Sequence, residues 1–140
     1  HPHALTTRNN LASAYESAGH KAESISSYEQ LLQDCTRILG QEHPHTLATR
    51  NNLAHSYALA GDIPKALEHW LKTYADCQRI LGHHHPLTKA VHKNVATATK
   101  WIVWTSPNKK PWHKKCINLL KKMAKPVLIA IKVSRITYRI

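Results

Sequence analysis

HPHTLATRNNLAHSYALAG, residues 43–61, decides the fold, because the chain has already used nearly the same phrase as HPHALTTRNNLASAYESAG, residues 1–19. Working outward from this pair gives a period of 42 residues, in the range of helical solenoids. Arg8-Asn9-Asn10-Leu11-Ala12 returns as Arg50-Asn51-Asn52-Leu53-Ala54 and decays to His92-Lys93-Asn94-Val95-Ala96. Tyr15 matches Tyr57, and Ala18-Gly19 matches Ala60-Gly61. Asp34-Cys35 and Arg37-Ile38-Leu39-Gly40 return as Asp76-Cys77 and Arg79-Ile80-Leu81-Gly82. The recurring phrase is a structural unit.

Each unit reads as two helices. In the second, Pro44 breaks the chain, Thr46 is the expected cap, and a first helix, A, is predicted from Leu47 to Leu59. Gly61-Asp62 makes the turn, because glycine reaches left-handed dihedrals without strain. Helix B then carries Ile63, Leu67, Trp70, Tyr74, Cys77 and Leu81 at alternating steps of four and three, an apolar seam of helical period. Unit one repeats the plan with Ile25, Tyr28, Leu32, Cys35 and Leu39.

With the unit in hand, NNLAHSYALAGDIPKALEHW (residues 51–70) resembles a tetratricopeptide repeat. Leu53, Ala54, Tyr57, Gly61, Ala66 and Trp70 stand where that family has its small and large helix-packing positions. The 42-residue period, with RILG followed by His-Pro and RNNLA, resembles the long repeats of kinesin light chains. It is closer still to repeat arrays appended to bacterial nucleotide-binding regulatory proteins. The family usually has an acid after His-Pro, where this chain has His3, His45 and Leu87, which leaves Thr46 and Thr88 as the expected caps. The predicted class is therefore all-α, a tetratricopeptide-type solenoid of helical hairpins with a non-repeat basic C-terminal tail. Repeats fill 1–105 (1–42, 43–84 and a partial 85–105), and the tail fills 106–140.

The net charge of +12 divides unevenly. Residues 1–76 hold all eight acids against six bases, whereas 14 Lys and Arg follow Asp76 with no acid among them. The first residue is His1 rather than Met, which predicts a piece of a longer protein. No run approaches the roughly 20 apolar residues of a membrane span, and no secretory signal is visible. Three widely spaced cysteines, Cys35, Cys77 and Cys116, make no disulfide framework, so a reducing cytoplasm is the expected compartment.

Little in the sequence points to chemistry. His83-His84-His85 is of the type that holds Zn or Ni, but His85, like His1 and His43, is explained by the repeat. Adjacent residues seldom converge on one ion, so a surface loop is expected and no metal. Cys35 and Cys77 occupy equivalent places on successive B helices, about 8–10 Å apart or more, too far for a disulfide. No HExxH, phosphate loop or activated nucleophile is present, so neither an enzyme nor a cofactor is expected.

Binding is the stronger expectation. The family's A helices line a concave groove, where this chain presents Asn9 and Ser13, then Asn51 and His55, then Lys93 and Thr97. Asparagine offers both a donor and an acceptor to an extended peptide backbone, and the resemblance implies that Asn9 and Asn51 do so. Asn10 and Asn52 are assigned instead to bonds between helices. The expected partner is a protein or peptide, with self-association left open.

From Trp101 the pattern fails. Trp112, Cys116, Leu119, Leu120 and Met123 form an apolar stripe, with Lys114, Lys115, Lys121, Lys122 and Lys125 largely off it. This basic amphipathic helix has three readings: a cap on the last A helix over Val91, Val95 and Ala98, an anionic-membrane anchor, or a nucleic-acid arm. A fused or shifted reading frame is a fourth. Capping is preferred, because an open apolar end has to be covered.

Overall fold

A computed structural model describes residues 2–104 and 111–123 of the chain. They form six helices, α1 (Pro2–Ser17), α2 (Lys21–Leu39), α3 (Pro44–Leu59), α4 (Ile63–Ile80), α5 (Pro86–Trp104) and α6 (Pro111–Met123). No strand occurs among the described residues. α1 packs on α2 and α3 on α4 as hairpins, while α2 also packs on α3 and α4 on α5, so each B helix lies between two A helices. This is a solenoid.

The A helices begin earlier than the sequence suggested, at Pro2, Pro44 and Pro86. Proline at the first helical position has its φ preset and no N–H to leave unpaired. In α3 and α5 the cap is the histidine before that proline. His43 Nδ1 accepts from the His45 N–H at 3.0 Å, and His85 Nδ1 from the Leu87 N–H at 3.1 Å. The expected caps Thr46 and Thr88 are instead buried inside their helices. The Thr88 hydroxyl donates to the Cys77 carbonyl at 3.4 Å, while the Thr46 hydroxyl has no partner.

The hairpin turns follow the glycines. Gly19 and Gly61 adopt φ of 80° and 87°, where a side chain would be strained. That conformation lets His20 N–H reach the Tyr15 carbonyl and Asp62 N–H the Tyr57 carbonyl, each at 2.9 Å, closing the preceding helix in Schellman fashion. Asp62 then caps α4, its carboxylate accepting from the Lys65 N–H at 3.3 Å. The third unit has Ile102-Val103 in place of the Ala-Gly stop. α5 accordingly runs 19 residues against 16 in α3, and Ile102 is fully buried.

The core is one continuous cluster along the stack. Tyr28, Leu31 and Cys35 of α2, Leu47, Leu53 and Tyr57 of α3, Leu67, Trp70 and Cys77 of α4, and Val91 and Val95 of α5 all lie within it. The predicted B seam is right for Leu67, Trp70, Tyr74 and Cys77, whereas Ile63 and Leu81 are half-buried at its ends. In α2 the seam omitted Leu31, which is fully buried. α6 lies against α4 and buries Cys116 and Leu120, with Leu119 packed against the same cluster.

Candidate binding cleft

Consecutive A helices are stitched by asparagines. The Asn52 amide donates to Asn9 Oδ1 at 3.1 Å, and the Asn94 amide donates to Asn51 Oδ1 at 3.0 Å. Asn51 Oδ1 also accepts from the Trp70 indole N–H at 3.0 Å. The second asparagine of one unit thus reaches back to the first of the unit before. Asn52 bridges helices as expected. Asn9 and Asn51, assigned to the groove, have their side-chain carbonyls committed to the stack as well. Asn10, assigned to an inter-helix bond, is exposed instead.

Beside the first of these bonds, α1, α3 and Tyr28 of α2 enclose a cleft of about 460 Å³. Asn9, Asn10, Ser13, Glu16 and Ser17 come from α1, and Asn52, His55 and Leu59 from α3. Three of the six expected groove residues, Asn9, Ser13 and His55, therefore share one cavity. Asn51, Lys93 and Thr97 do not line it. Lys93 and Thr97 are exposed on α5, where the Thr97 hydroxyl donates to the Lys93 carbonyl at 2.8 Å.

The sequence reading missed Glu16. Its carboxylate receives His55 Nδ1 at 2.5 Å on one oxygen and the Ser56 hydroxyl at 3.2 Å on the other. Ser56 in turn lies 3.2 Å from Ser24, whose hydroxyl donates to the Ala12 carbonyl. Burial pushes the Tyr28 phenol above its ordinary value, and the Glu16 charge adds to that rise. The signal available in the sequence was a lone acid in helix A, where the later units have Ala58 and Lys100.

A second omission is structural. Arg8 pairs with Asp34 at 2.5 Å and Arg50 with Asp76 at 2.7 Å, and Arg37 and Arg79 reach the same aspartates at 3.3 and 3.5 Å. The two arginines that brace each aspartate are invariant between units one and two. The third unit has His92 in place of the first arginine, and the His92 ring tilts against Tyr74 at 5.3 Å. Arg50 also floors a smaller cleft of about 260 Å³ with Thr36, Glu68, His69 and Lys72. Burial, more than the neighbouring cations, lowers the affinity of His69 for a proton.

Among the described residues no cluster of His, Cys, Asp or Glu is disposed to hold a metal, and the His83 ring lies 3.2 Å from the Gln78 amide. All three cysteines are buried and free, and burial pushes the Cys77 and Cys116 thiols up to about 11. On α6, Lys114, Lys115 and Lys121 are exposed. The Lys122 side chain and the whole of Lys125 lie outside the described residues, as does everything expected of residues 124–140. No described helix is long and apolar enough to cross a membrane.

The description Tetratricopeptide repeat belongs to a family model that matches residues 3–69 and 45–99, nearly all of the hairpin array. The chain belongs to the tetratricopeptide repeat family. Among solved structures it is similar to a Podosopora anserina protein of kinesin-light-chain type with nearly identical tetratricopeptide-like repeats, at 25% identity and a TM-score of 0.66. A single-substitution variant of that protein superposes with a TM-score of 0.65 at the same identity. This tetratricopeptide chain is covered to 98% in both comparisons and spans 59% and 58% of those chains. BtubC (BKLC) from P. vanneervenii, at 14% identity and a TM-score of 0.62, shares the fold over 86% of this chain and 47% of its own. No curated protein matches the sequence. Tetratricopeptide arrays are in general scaffolds for protein–protein interaction and not catalysts.

Proposed function

We propose that this tetratricopeptide module binds an extended peptide segment of a partner protein along the A-helix face, with the α1–α3 cleft as its principal seat. The observation that carries the reading is the cleft's lining: Asn10, Ser13 and Ser17 hold exposed polar side chains beside the half-exposed Leu59. A peptide backbone needs donors and acceptors at intervals, and these residues supply both along one helix. Three A helices at about 10 Å spacing span about 20 Å, the length of roughly six extended residues. Selection from a displayed library of random heptapeptides is the test. Peptides enriched on the wild-type chain should lose binding to Ser13→Arg, which keeps its helicity because Ser13 is exposed and gives up only the hydroxyl's bond to the Tyr28 phenol. Enriched peptides indifferent to Ser13→Arg would place binding elsewhere.

One observation favours a second, compatible role for α6. Cys116 and Leu120 of its apolar stripe are buried and the helix packs on α4, while Lys114, Lys115 and Lys121 are exposed. That arrangement supports a cap with a charged outer surface. Membrane insertion of the stripe would require α6 to leave α4. Sedimentation with vesicles containing phosphatidylserine distinguishes the cases. Binding that weakens steeply with salt and spares the α4 contact is surface attraction, whereas salt-resistant binding with loss of Cys116 burial is insertion.

A further inference from the structure

We infer that the peptide seated in the α1–α3 cleft presents a lysine or arginine side chain to the Glu16 carboxylate, so that the partner is a basic segment; this rests on the concave-face reading above. The Glu16 side chain is only 15% exposed, yet it lines an open cavity. A carboxylate offers about four acceptor sites, and His55 and Ser56 take one on each oxygen, leaving capacity on both. Among the described residues the cleft lining contains no lysine or arginine to compensate the charge. A charge-assisted hydrogen bond to a partly desolvated carboxylate is roughly twice as strong as a neutral one.

Shape and context agree with a cation. Leu59, 46% exposed on the cleft rim, offers an apolar wall for the methylene stem of a long basic side chain. The chain's net charge of +12 does not oppose this, because residues 1–76, which build the cleft, carry eight acids against six bases. Burial is the larger cause of the raised Tyr28 phenol, and the Glu16 charge beside the cavity adds to it. The next junction along the array lacks the feature, with Ala58 at the Glu16 position, so the cation is expected at one place and not as a repeated pattern.

The test uses the full chain and fluorescein-labelled heptapeptide mixtures, random except for a fixed central lysine, arginine, norleucine or glutamate. Wild-type protein should prefer the lysine and arginine mixtures over norleucine by at least about tenfold, the effect of one hydrogen bond to a charged group. Glu16→Gln should remove the preference while norleucine binding persists. Should Glu16→Gln perturb the fold through its bonds to His55 and Ser56, Ser17→Lys provides the check. That exposed position brings an intramolecular cation to the cleft without touching a buried contact, and it should level the mixtures. Equal binding of all mixtures by wild type, blocked by Ser13→Arg, overturns the basic partner and keeps the groove. A preference that survives both Glu16→Gln and Ser17→Lys also overturns it. Absence of binding, or indifference to Ser13→Arg, removes the groove reading and this inference together.

Discussion

Asn51 illustrates how much one side chain contributes to the joint between units. Its Oδ1 accepts at 3.0 Å from both the Trp70 indole and the Asn94 amide. Alanine there strands two donors near the core, and Asn51→Ala is expected to cost about 1–3 kcal/mol in urea denaturation, whatever it does to ligand affinity. The two arginine braces make a paired prediction. The Arg50 side chain is 7% exposed and that of Arg8 is 39% exposed, in the same bond to the same aspartate position. Arg50→Ala removes a buried guanidinium from Asp76, which is 25% exposed and keeps Arg79, and should cost about 1.5–3 kcal/mol, whereas Arg8→Ala should cost less. The thiols set a pH limit. Cys77 and Cys116 ionise near 9 when unfolded and at about 11 when buried. The folded state therefore holds its protons longer, and their contribution is complete below pH 9 and lost as pH rises toward 11. Thermal melts across that window should fall in temperature, and Cys77→Ser with Cys116→Ser should flatten the fall. At this scale the sequence was ambiguous. Whether an asparagine carbonyl meets solvent or a neighbouring helix depends on the offset between units, and periodicity along one helix does not contain that offset.

Elements were easier to read than residues, because apolar period and breaker residues act along a single segment. The seam of α4 and the Gly61-Asp62 turn follow directly from side-chain type and spacing. Helix starts were misplaced by three residues for a chemical reason: a histidine before proline caps through its ring nitrogen, a role the usual cap preferences give to serine, threonine and aspartate. Glu16 and the Arg–Asp braces were visible in principle, since opposite charges recurring 26 residues apart in both units mark a packed pair. The end of α5 was not, because losing the Ala-Gly stop removes a signal and supplies none. α6 remains the element with a decision to make. If it is a cap, a chain ending at residue 105 uncovers the α4 surface now holding Cys116 and Leu120. Its melting temperature should drop by several degrees or its sedimentation should show self-association. A truncated chain that melts like the parent and stays monomeric would make α6 an accessory arm. Trypsin distinguishes the same alternatives, since lysines on a docked helix are cut slowly.

Across the molecule, stability is close to a sum over units and the joints between them. Units one and two carry both arginine braces, and the joints on either side of α3 each carry one asparagine bond. The third unit keeps the asparagine and loses the brace. Inserting a second copy of residues 43–84 after residue 84 should therefore raise the melting temperature, with every added bond taken from existing positions. The inserted Asn52 would meet the original Asn51, and the inserted Arg50 its own Asp76. Three mismatches are foreseeable: the inserted Ser56 would face Ala66 where the original faces Ser24, the inserted His55 and Ser56 would meet Ala58 where the originals meet Glu16, and the inserted Tyr57 would meet Leu71 where the original reaches Glu29; Ala66→Ser with Ala58→Glu should recover part of the difference. If the longer chain melts below the parent, the joints are not interchangeable.

That interchangeability has a genetic side. The asparagine bonds join positions 43 residues apart in a 42-residue period, so each joint is encoded entirely within two neighbouring stretches of coding sequence. Unequal recombination between such recurring stretches would lengthen or shorten the product by whole units and leave the surviving joints intact. The length of partner segment the array spans would then change in increments of about 10 Å.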